Sequence, residues 1–443
     1  MPSRAMYALI VLFAINLMNF FDRSIFGAVG EAIRKEWGLG DAAMGLLATS
    51  FTLIYAVVGL PFGRLSDKIR RTRILASGLF VWSALTAASG LARNYWQLFA
   101  VRIGVGVGEA TCAPAANSLI GDLFATERRA WALSVFMLGL PIGNGLAYAV
   151  GGPVTQAYGW RAAFFVAGIP GLLCLIAVRW LYEPPRGMSD AHGVGERCRP
   201  GSPFAVVLSL PTMWWLIASG ALHNFNMYAI AQFLSPFLIR FHHVTIRNAG
   251  LLSTFIFGLS GVGGLLAGGI AADAAYRRRV DGRLLVGAAA IAVSSPLMFL
   301  ALGRAAGDVI GFALLMGSGC GVMYFYYSCV YSTIQDIIEP SLRATAMSLY
   351  FCAMYVLGAS LGPVGTGLAS DYFTSRAARA SGVLDSAAKA LEPFRGGGLH
   401  AAMYIIPTLF ALLALVLFAA SRTVGKDVEK LHAWIQESGA AQL

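Results

Sequence analysis

The chain is 443 residues long, 57% hydrophobic and only 12% charged, with a mean hydropathy of +0.67, a balance that excludes a soluble domain of this length. Its formal charge of +11 is scattered over short loops, which excludes a nucleic-acid surface and points to sidedness in a membrane. Cys112, Cys174, Cys320, Cys329 and Cys352 fall in apolar runs and Cys198 in a polar break, so neither a disulfide framework nor a metal site is expected.

Apolar runs of about 20 residues or more, enough to cross a bilayer, recur at 5–30, 42–62, 73–91, 95–120, 130–152 and 161–182, and after a polar break at 211–240, 248–272, 283–303, 307–332, 343–370 and 398–421. They predict an all-α membrane protein of twelve spans. The first run is long enough to cross and lacks the cleavage site of a signal peptide. With both termini cytoplasmic, most of the 33 Lys and Arg fall on the inner side, chiefly in the loops at Arg64 to Arg73 and Arg277 to Arg283, as the positive-inside rule requires. The expected location is a plasma or bacterial inner membrane.

Span one carries Asn16, Asn19, Asp22 and Arg23, and span four carries Arg102 and Glu109. A charge at the centre of a membrane helix costs about 2.5–3.5 kcal/mol on insertion scales, so such residues mark function. At about 1.5 Å per residue, Asp22, Arg23 and Arg102 lie about 10–12 Å below the outer ends of their spans, and Glu109 lies about 20 Å down, level with Asn16. Asn16, Asn19 and Arg23 form one stripe that should face a wet cavity, with Asp22 about 60° to one side. The geometry predicts that Asp22 reaches Arg102, leaving Arg23 for Glu109 or a ligand.

The four charges cancel. Burial raises a carboxylate pKa and a neighbouring arginine lowers it, so Asp22 and Glu109 are the candidate proton sites, with protons as coupling ion and no cofactor. Arg23 and Arg102 keep their charge, and their planar forks suit a carboxylate or phosphate head group. The plainer alternative is a fixed network holding spans one and four together, against which stands the weakness of buried ion pairs as stabilisers.

The break at Glu183 to Pro203 reads as a linker between two six-span halves, dividing the chain into 1–182, a linker at 183–208, a second half at 209–421 and an amphipathic cytoplasmic tail at 422–443. DLFATERRAWALS near 122 and DIIEPSLRATAMS near 336 match at one spacing of 214 residues, pairing Asp122 and Arg129 with Asp336 and Arg343. GRLSDKIRRTR from Gly63 and GIAADAAYRRR from Gly269 likewise align Asp67 and Arg71 with Asp273 and Arg277. These loop pairs are candidates for a cytoplasmic gate that closes and separates in turn.

Span seven adds His223, Asn224 and Tyr228, and span ten adds Tyr324, Tyr327 and Tyr331, a polar-aromatic wall suited to an amphipathic substrate with an ionised head. Ordinary packing is the alternative for any one tyrosine. Glycine-dense stretches in spans five, eight and eleven predict close packing or kinks.

GRLSDKIRRTR resembles the cytoplasmic loop motif of the major facilitator superfamily, with Gly63, Asp67 and Arg71 in matching roles, although Arg70 stands where the motif has glycine. NFFDRSIFG, RIGVGVGEA and GWRAAFF are most similar to the Spinster group of that superfamily. The resemblance implies two pseudo-symmetric six-helix bundles, a cavity lined by spans one, four, seven and ten, and transport of lysophospholipids or sphingoid phosphates by alternating access. A functional monomer, a lipid or other amphipathic small molecule as partner, and no enzyme activity are expected. The alternatives are a proton-coupled carrier of drugs or organic anions and, in another class, a non-transporting membrane sensor.

Overall fold

The computed structural model describes residues 2–124, 126–185, 203–339, 342–383 and 387–440; the side chains of 2–3, 60, 63–68, 126–127, 129–131, 203, 344 and 434–440 lie outside that description. Gly63, Asp67 and Arg129 of the expected gate, and most of the linker, fall in those gaps.

The described residues form twelve spans. In the N-half these are span one (Pro2–Trp37), two (Asp41–Lys68), three (Arg71–Ser89), four (Tyr95–Glu109, resumed as Cys112–Leu123), five (Thr126–Met137 and Gly139–Tyr158) and six (Trp160–Val178). The C-half has span seven (Pro211–Phe241), eight (Ile246–Ser253, Thr254–Leu259 and Ser260–Tyr276), nine (Gly282–Leu302), ten (Val309–Met323 and Phe325–Ile337), eleven (Arg343–Ala353, Met354–Ala359 and Leu361–Ala380) and twelve (Arg395–Met403 and Ile405–Ala440). The expected tail is not separate from the last span, since one helix runs from Ile405 to Ala440.

The interruptions have local causes. Pro114 has no N–H for the Ala110 carbonyl, and span four breaks after Glu109. Span ten breaks at Tyr324, whose N–H is shared between the Cys320 and Gly321 carbonyls. Ala110 and Tyr324 are 214 residues apart, the spacing of the sequence repeat, so the halves repeat this bend as well as their loop motifs. Spans eight and eleven each carry one π-helical turn, Thr254–Leu259 and Met354–Ala359, where a residue is inserted into the helix. In span eleven the Ser360 N–H bonds back to the Tyr355 carbonyl at 3.0 Å, five residues earlier. The breaks in spans five, eight and eleven follow the glycine pattern, and those in four and ten follow shorter glycine runs, Gly104, Gly106 and Gly108 in the one and Gly317, Gly319 and Gly321 in the other.

One face of the bundle carries the linker and the ends of spans one and twelve; the other is the far face. On the far-face side a single hydrophobic core crosses the seam, joining Ile25, Tyr148 and Phe164 of the N-half to Phe233, Phe257 and Tyr324 of the C-half. Toward the linker face the N-half keeps its own core around Leu12, Leu79, Trp82 and Phe136. Small residues permit the shared seam: a Cβ on Gly45 would stand 2.4 Å from the Pro363 carbonyl oxygen, and one on Gly258 would stand 2.6 Å from the Gly145 Cα.

Candidate substrate site

Arg23 sits at the middle of the seam. Its Nη2 meets Glu109 Oε2 at 3.0 Å and its Nε meets the same oxygen at 3.3 Å, while Nη2 also donates to Asn19 Oδ1 at 3.3 Å. Across the seam Nη1 donates to the phenol oxygens of Tyr228 at 3.1 Å and Tyr355 at 3.2 Å. The guanidinium lies under the Tyr55 ring, 4.5 Å from its centroid, with Phe20 at 5.0 Å and Phe51 at 5.1 Å. Glu109 is fully buried at the bend of span four, where the interrupted helix leaves room for a carboxylate.

Arg102 lies one layer toward the far face. It is buried, stacks its guanidinium 4.8 Å from the Phe51 ring and 5.0 Å from the Phe26 ring, and forms no ion pair among the described residues. Its Nε has no hydrogen-bond partner. Asp22 does not reach it as the sequence suggested: the sideways offset aims Asp22 at span three, where Thr86 donates to Oδ2 at 3.5 Å and Oδ1 is left without a partner. Arg23 and Arg102 together line a cavity of about 50 Å³ with Phe51, Asn144, Tyr228 and Gln232. That volume holds one or two waters. The described cavity lies next to the charges and is drawn from both halves.

Other expected residues fall elsewhere. Asn16 is buried and gives its amide to the Phe136 carbonyl at 2.7 Å, next to the break in span five. His223 is fully buried inside the C-half, stacked on Tyr326 with centroids 3.9 Å apart, and does not line the cavity. Asn224 is also buried and bonds the Gly220 carbonyl, and the Tyr324 ring is packed in the shared core. Tyr228, Tyr327 and Tyr331 are half-buried and form an aromatic file with Tyr355 and Phe351. Tyr55 and Tyr355 went unnoticed in the sequence because a lone tyrosine in an apolar span carries no anomaly.

The loop motifs pair within each half. Arg71 is buried and binds Asp122, Glu183, the Ser118 hydroxyl and the Pro184 carbonyl, pinning the start of the linker to spans three and four. In the C-half the corresponding cation is Arg283, not Arg277: it holds Asp336 and, at 3.0 Å, Asp273. Arg277 caps the end of span eight, and because the loop that follows is longer the functional equivalent of Arg71 is Arg283, six residues onward in the first turn of span nine. Arg343 does not pair with Asp336; its Nε donates to the Gln335 carbonyl.

Among the described residues, the ion pairs that join the halves are on the far face. Arg240 binds Asp41 at 2.8 Å and Glu31 at 2.6 Å, Ser370 donates to Asp41 at 2.6 Å, and Asp371 accepts from the backbone N–H groups of Asp41 and Ala42 at 3.0 and 2.9 Å. Arg34 adds Glu31 and Glu392. These residues stand at span ends, where charge is ordinary, and gave no signal in the sequence.

A bundle of two six-helix halves with charges buried at its midplane defines a secondary transporter. Residues 12–363 match the family model described as Major Facilitator Superfamily, and the chain is 31% identical over 392 residues to Protein spinster homolog 1 of Mus musculus, covering 82% of this chain and 72% of the mouse protein; the chain belongs to that superfamily and, within it, to the Spinster group. It is 28% identical to the sphingosine-1-phosphate transporter of Danio rerio, over 80% of this chain and 74% of that protein. It is 27% identical to an MFS-type efflux pump of Mycolicibacterium smegmatis, over 84% and 86%. A bacterial homolog of the human lysosomal transporter Spinster, solved in an inward-facing and unoccupied conformation, superposes with a TM-score of 0.86 at 26% identity, over 96% of this chain and 98% of that one.

Proposed function

We propose that this chain is a proton-coupled transporter that moves an amphipathic, anionic or zwitterionic lipid-like substrate, a lysophospholipid or sphingoid phosphate, by alternating access. The observation that carries the reading is the clasp of Arg23 by Glu109 on one side and by two C-half tyrosines on the other. A carboxylate that takes up a proton no longer neutralises Arg23, and the charge of the guanidinium is then available to an anionic head group. The aromatic file of Tyr228, Tyr327, Tyr331 and Tyr355 offers an apolar body to the rest of the molecule. The printed name of the Danio rerio relative, a sphingosine-1-phosphate transporter, supports the substrate class.

In this reading the linker face is cytoplasmic, the membrane is a plasma or bacterial inner membrane, and the protein works as a monomer. The far-face seal of Arg240, Asp41 and Glu31 then corresponds to an inward-facing state. In place of the expected gate, Arg71 with Asp122 and Arg283 with Asp336 act as braces that hold each half rigid while the halves rock.

The test is pH-gradient-driven uptake of lysolipid into proteoliposomes by the wild type and by Asp22→Asn and Glu109→Gln. Glu109→Gln is expected to lose at least tenfold in gradient-driven uptake, and Asp22→Asn to be impaired; full retention by both would sink the proton assignment. A second reading, efflux of drugs, is favoured by the similarity to the Mycolicibacterium smegmatis pump. Stabilisation of the purified protein by hydrophobic drugs and not by lysolipids would select it.

A further inference from the structure

A guanidinium has five N–H donors, and each one on Arg23 has a partner. Nε and one Nη2 hydrogen go to Glu109, the other Nη2 hydrogen to Asn19, and the two Nη1 hydrogens to Tyr228 and Tyr355. An anion can bind Arg23 only by taking a donor that is already in use. The partners differ in strength, because a bond between two charged groups is roughly twice as strong as one to a neutral acceptor. Glu109 is an anion, and Asn19 is one turn back on the same helix. The phenols are neutral and belong to the other half. Nη1 is therefore the edge of Arg23 that yields first, and the cavity lined by Arg23 and Tyr228 opens beside it.

Tyr355 is brought there by the π-helical turn. The Tyr355 carbonyl accepts from both the N–H and the hydroxyl of Ser360 at 3.0 Å, which fixes the inserted register. Its ring then packs 5.0 Å from Tyr55 and 6.2 Å from Tyr228, closing three phenols around one guanidinium. No carboxylate or backbone carbonyl accepts the O–H of Tyr228 or Tyr355 among the described residues.

We propose that Tyr228 and Tyr355 are the head-group recognition pair. In the unliganded site their oxygens hold the Nη1 donors of Arg23; when a phosphate takes those donors, both phenols turn their O–H groups onto the same phosphate. The tetrahedral group spreads three acceptor oxygens in different directions, so the Arg23 edge and two phenols on the opposite half can each meet a separate oxygen, whereas a carboxylate offers two oxygens in one plane. The ligand chemistry is a phosphate ester, on a lipid or on a small soluble molecule. Since Arg23 is on the N-half and both phenols are on the C-half, the phosphate becomes a tie between them. This assignment rests on the anionic-substrate reading above.

The experiment measures binding to the full-length protein in nanodiscs, using oleoyl lysophosphatidic acid, the matching monooleoylglycerol and glycerol 3-phosphate as probes. Tyr355→Phe and Tyr228→Phe should each weaken lysophosphatidic acid binding roughly ten- to hundredfold, the worth of one hydrogen bond to a charged group, and leave monooleoylglycerol unchanged. Glycerol 3-phosphate binding with the same sensitivity assigns the pair to free phosphate esters; binding by lysophosphatidic acid alone assigns it to lipids. Unchanged affinity in both variants, or equal loss for the neutral lipid, overturns the assignment. Should one variant fail to fold, the other decides. A wild type that does not prefer lysophosphatidic acid to monooleoylglycerol refutes the anionic-substrate reading itself, a result seen without any variant.

Discussion

Arg240 grips Asp41 through both terminal nitrogens, at 2.8 and 2.9 Å, and so ties the end of span seven to the start of span two. Asp41 is fully buried, and the same guanidinium also holds Glu31, so one cation neutralises two N-half carboxylates at the seam.

Removing that cation leaves the buried Asp41 without its charge partner, while Glu31 keeps Arg34; breaking a buried pair in this way costs about 3–5 kcal/mol. The penalty falls on the state in which the far face is sealed. Arg240→Gln is expected to raise labelling of a cysteine placed on the far-face side of the cavity at least tenfold, with a smaller change in melting temperature. Labelling equal to that of the parent would show that Arg240 does not set the equilibrium.

A second prediction concerns the seam itself. A Cβ at Gly45 meets backbone at Pro363, 2.4 Å away, and backbone cannot step aside as a flexible side chain can. Gly59, further along the same span, has nothing within 4 Å. Gly45→Ala should push the population away from the sealed state, read by double electron–electron resonance between labels on the two halves, and Gly59→Ala should leave the distances unchanged. Identical distance distributions for both variants would contradict the contact.

The C-half brace separates two arginines that the sequence makes equivalent. Arg283 holds Asp273 and Asp336, whereas Arg277 holds neither. Arg283→Ala is expected to lower the melting temperature by several degrees, consistent with roughly 1–3 kcal/mol for a half-buried charged pair. Arg277→Ala should lie within error of the parent. A larger effect at Arg277 would restore the alignment read from the motif.

Glu183, just beyond span six, predicts a pH dependence. Burial pushes its carboxyl up, but hydrogen bonds from Thr72 and Arg71 outweigh burial and hold it below the usual carboxylate value. A folded-state value below the unfolded one gives stability that is present above about pH 4.3 and lost as pH falls through the folded value. The melting temperature of the parent should therefore exceed that of Glu183→Gln at neutral pH, and the gap should close on acidification below about pH 4.3. A gap that widens with acid would reverse the sign of the argument.

The buried charges were legible because charge in a membrane span is anomalous and a helix turns at a known rate. The same rate that placed Arg23 beside Glu109 also put Asp22 about 60° away, and only the position of Thr86 decides which neighbour that angle meets. Tyr55 and Tyr355 stayed hidden for the opposite reason: nothing in one span says that an inserted residue will rotate Tyr355 toward another span. Arg240, Asp41 and Asp371 lie where polar residues are normal, so their pairing is a property of the assembled halves. The Arg277 alignment misled because it followed residue order through a loop of different length.

Spans three and seven, Arg71–Ser89 and Pro211–Phe241, are not among the ten helical runs that are long and apolar enough to cross a membrane on length and composition alone. Span seven carries buried His223, Asn224, Asn226 and Gln232 among its apolar residues. Such a helix is poorly retained by lipid and is held by the neighbours that cover its polar side. It is also the first span of the C-half to leave the ribosome, before spans eleven and twelve that pack against it exist. The helix that brings Tyr228 and Arg240 to the seam is thus the one whose membrane insertion must wait for the rest of its bundle, and substitutions in spans eleven and twelve should surface as failures of biogenesis before they surface as failures of transport.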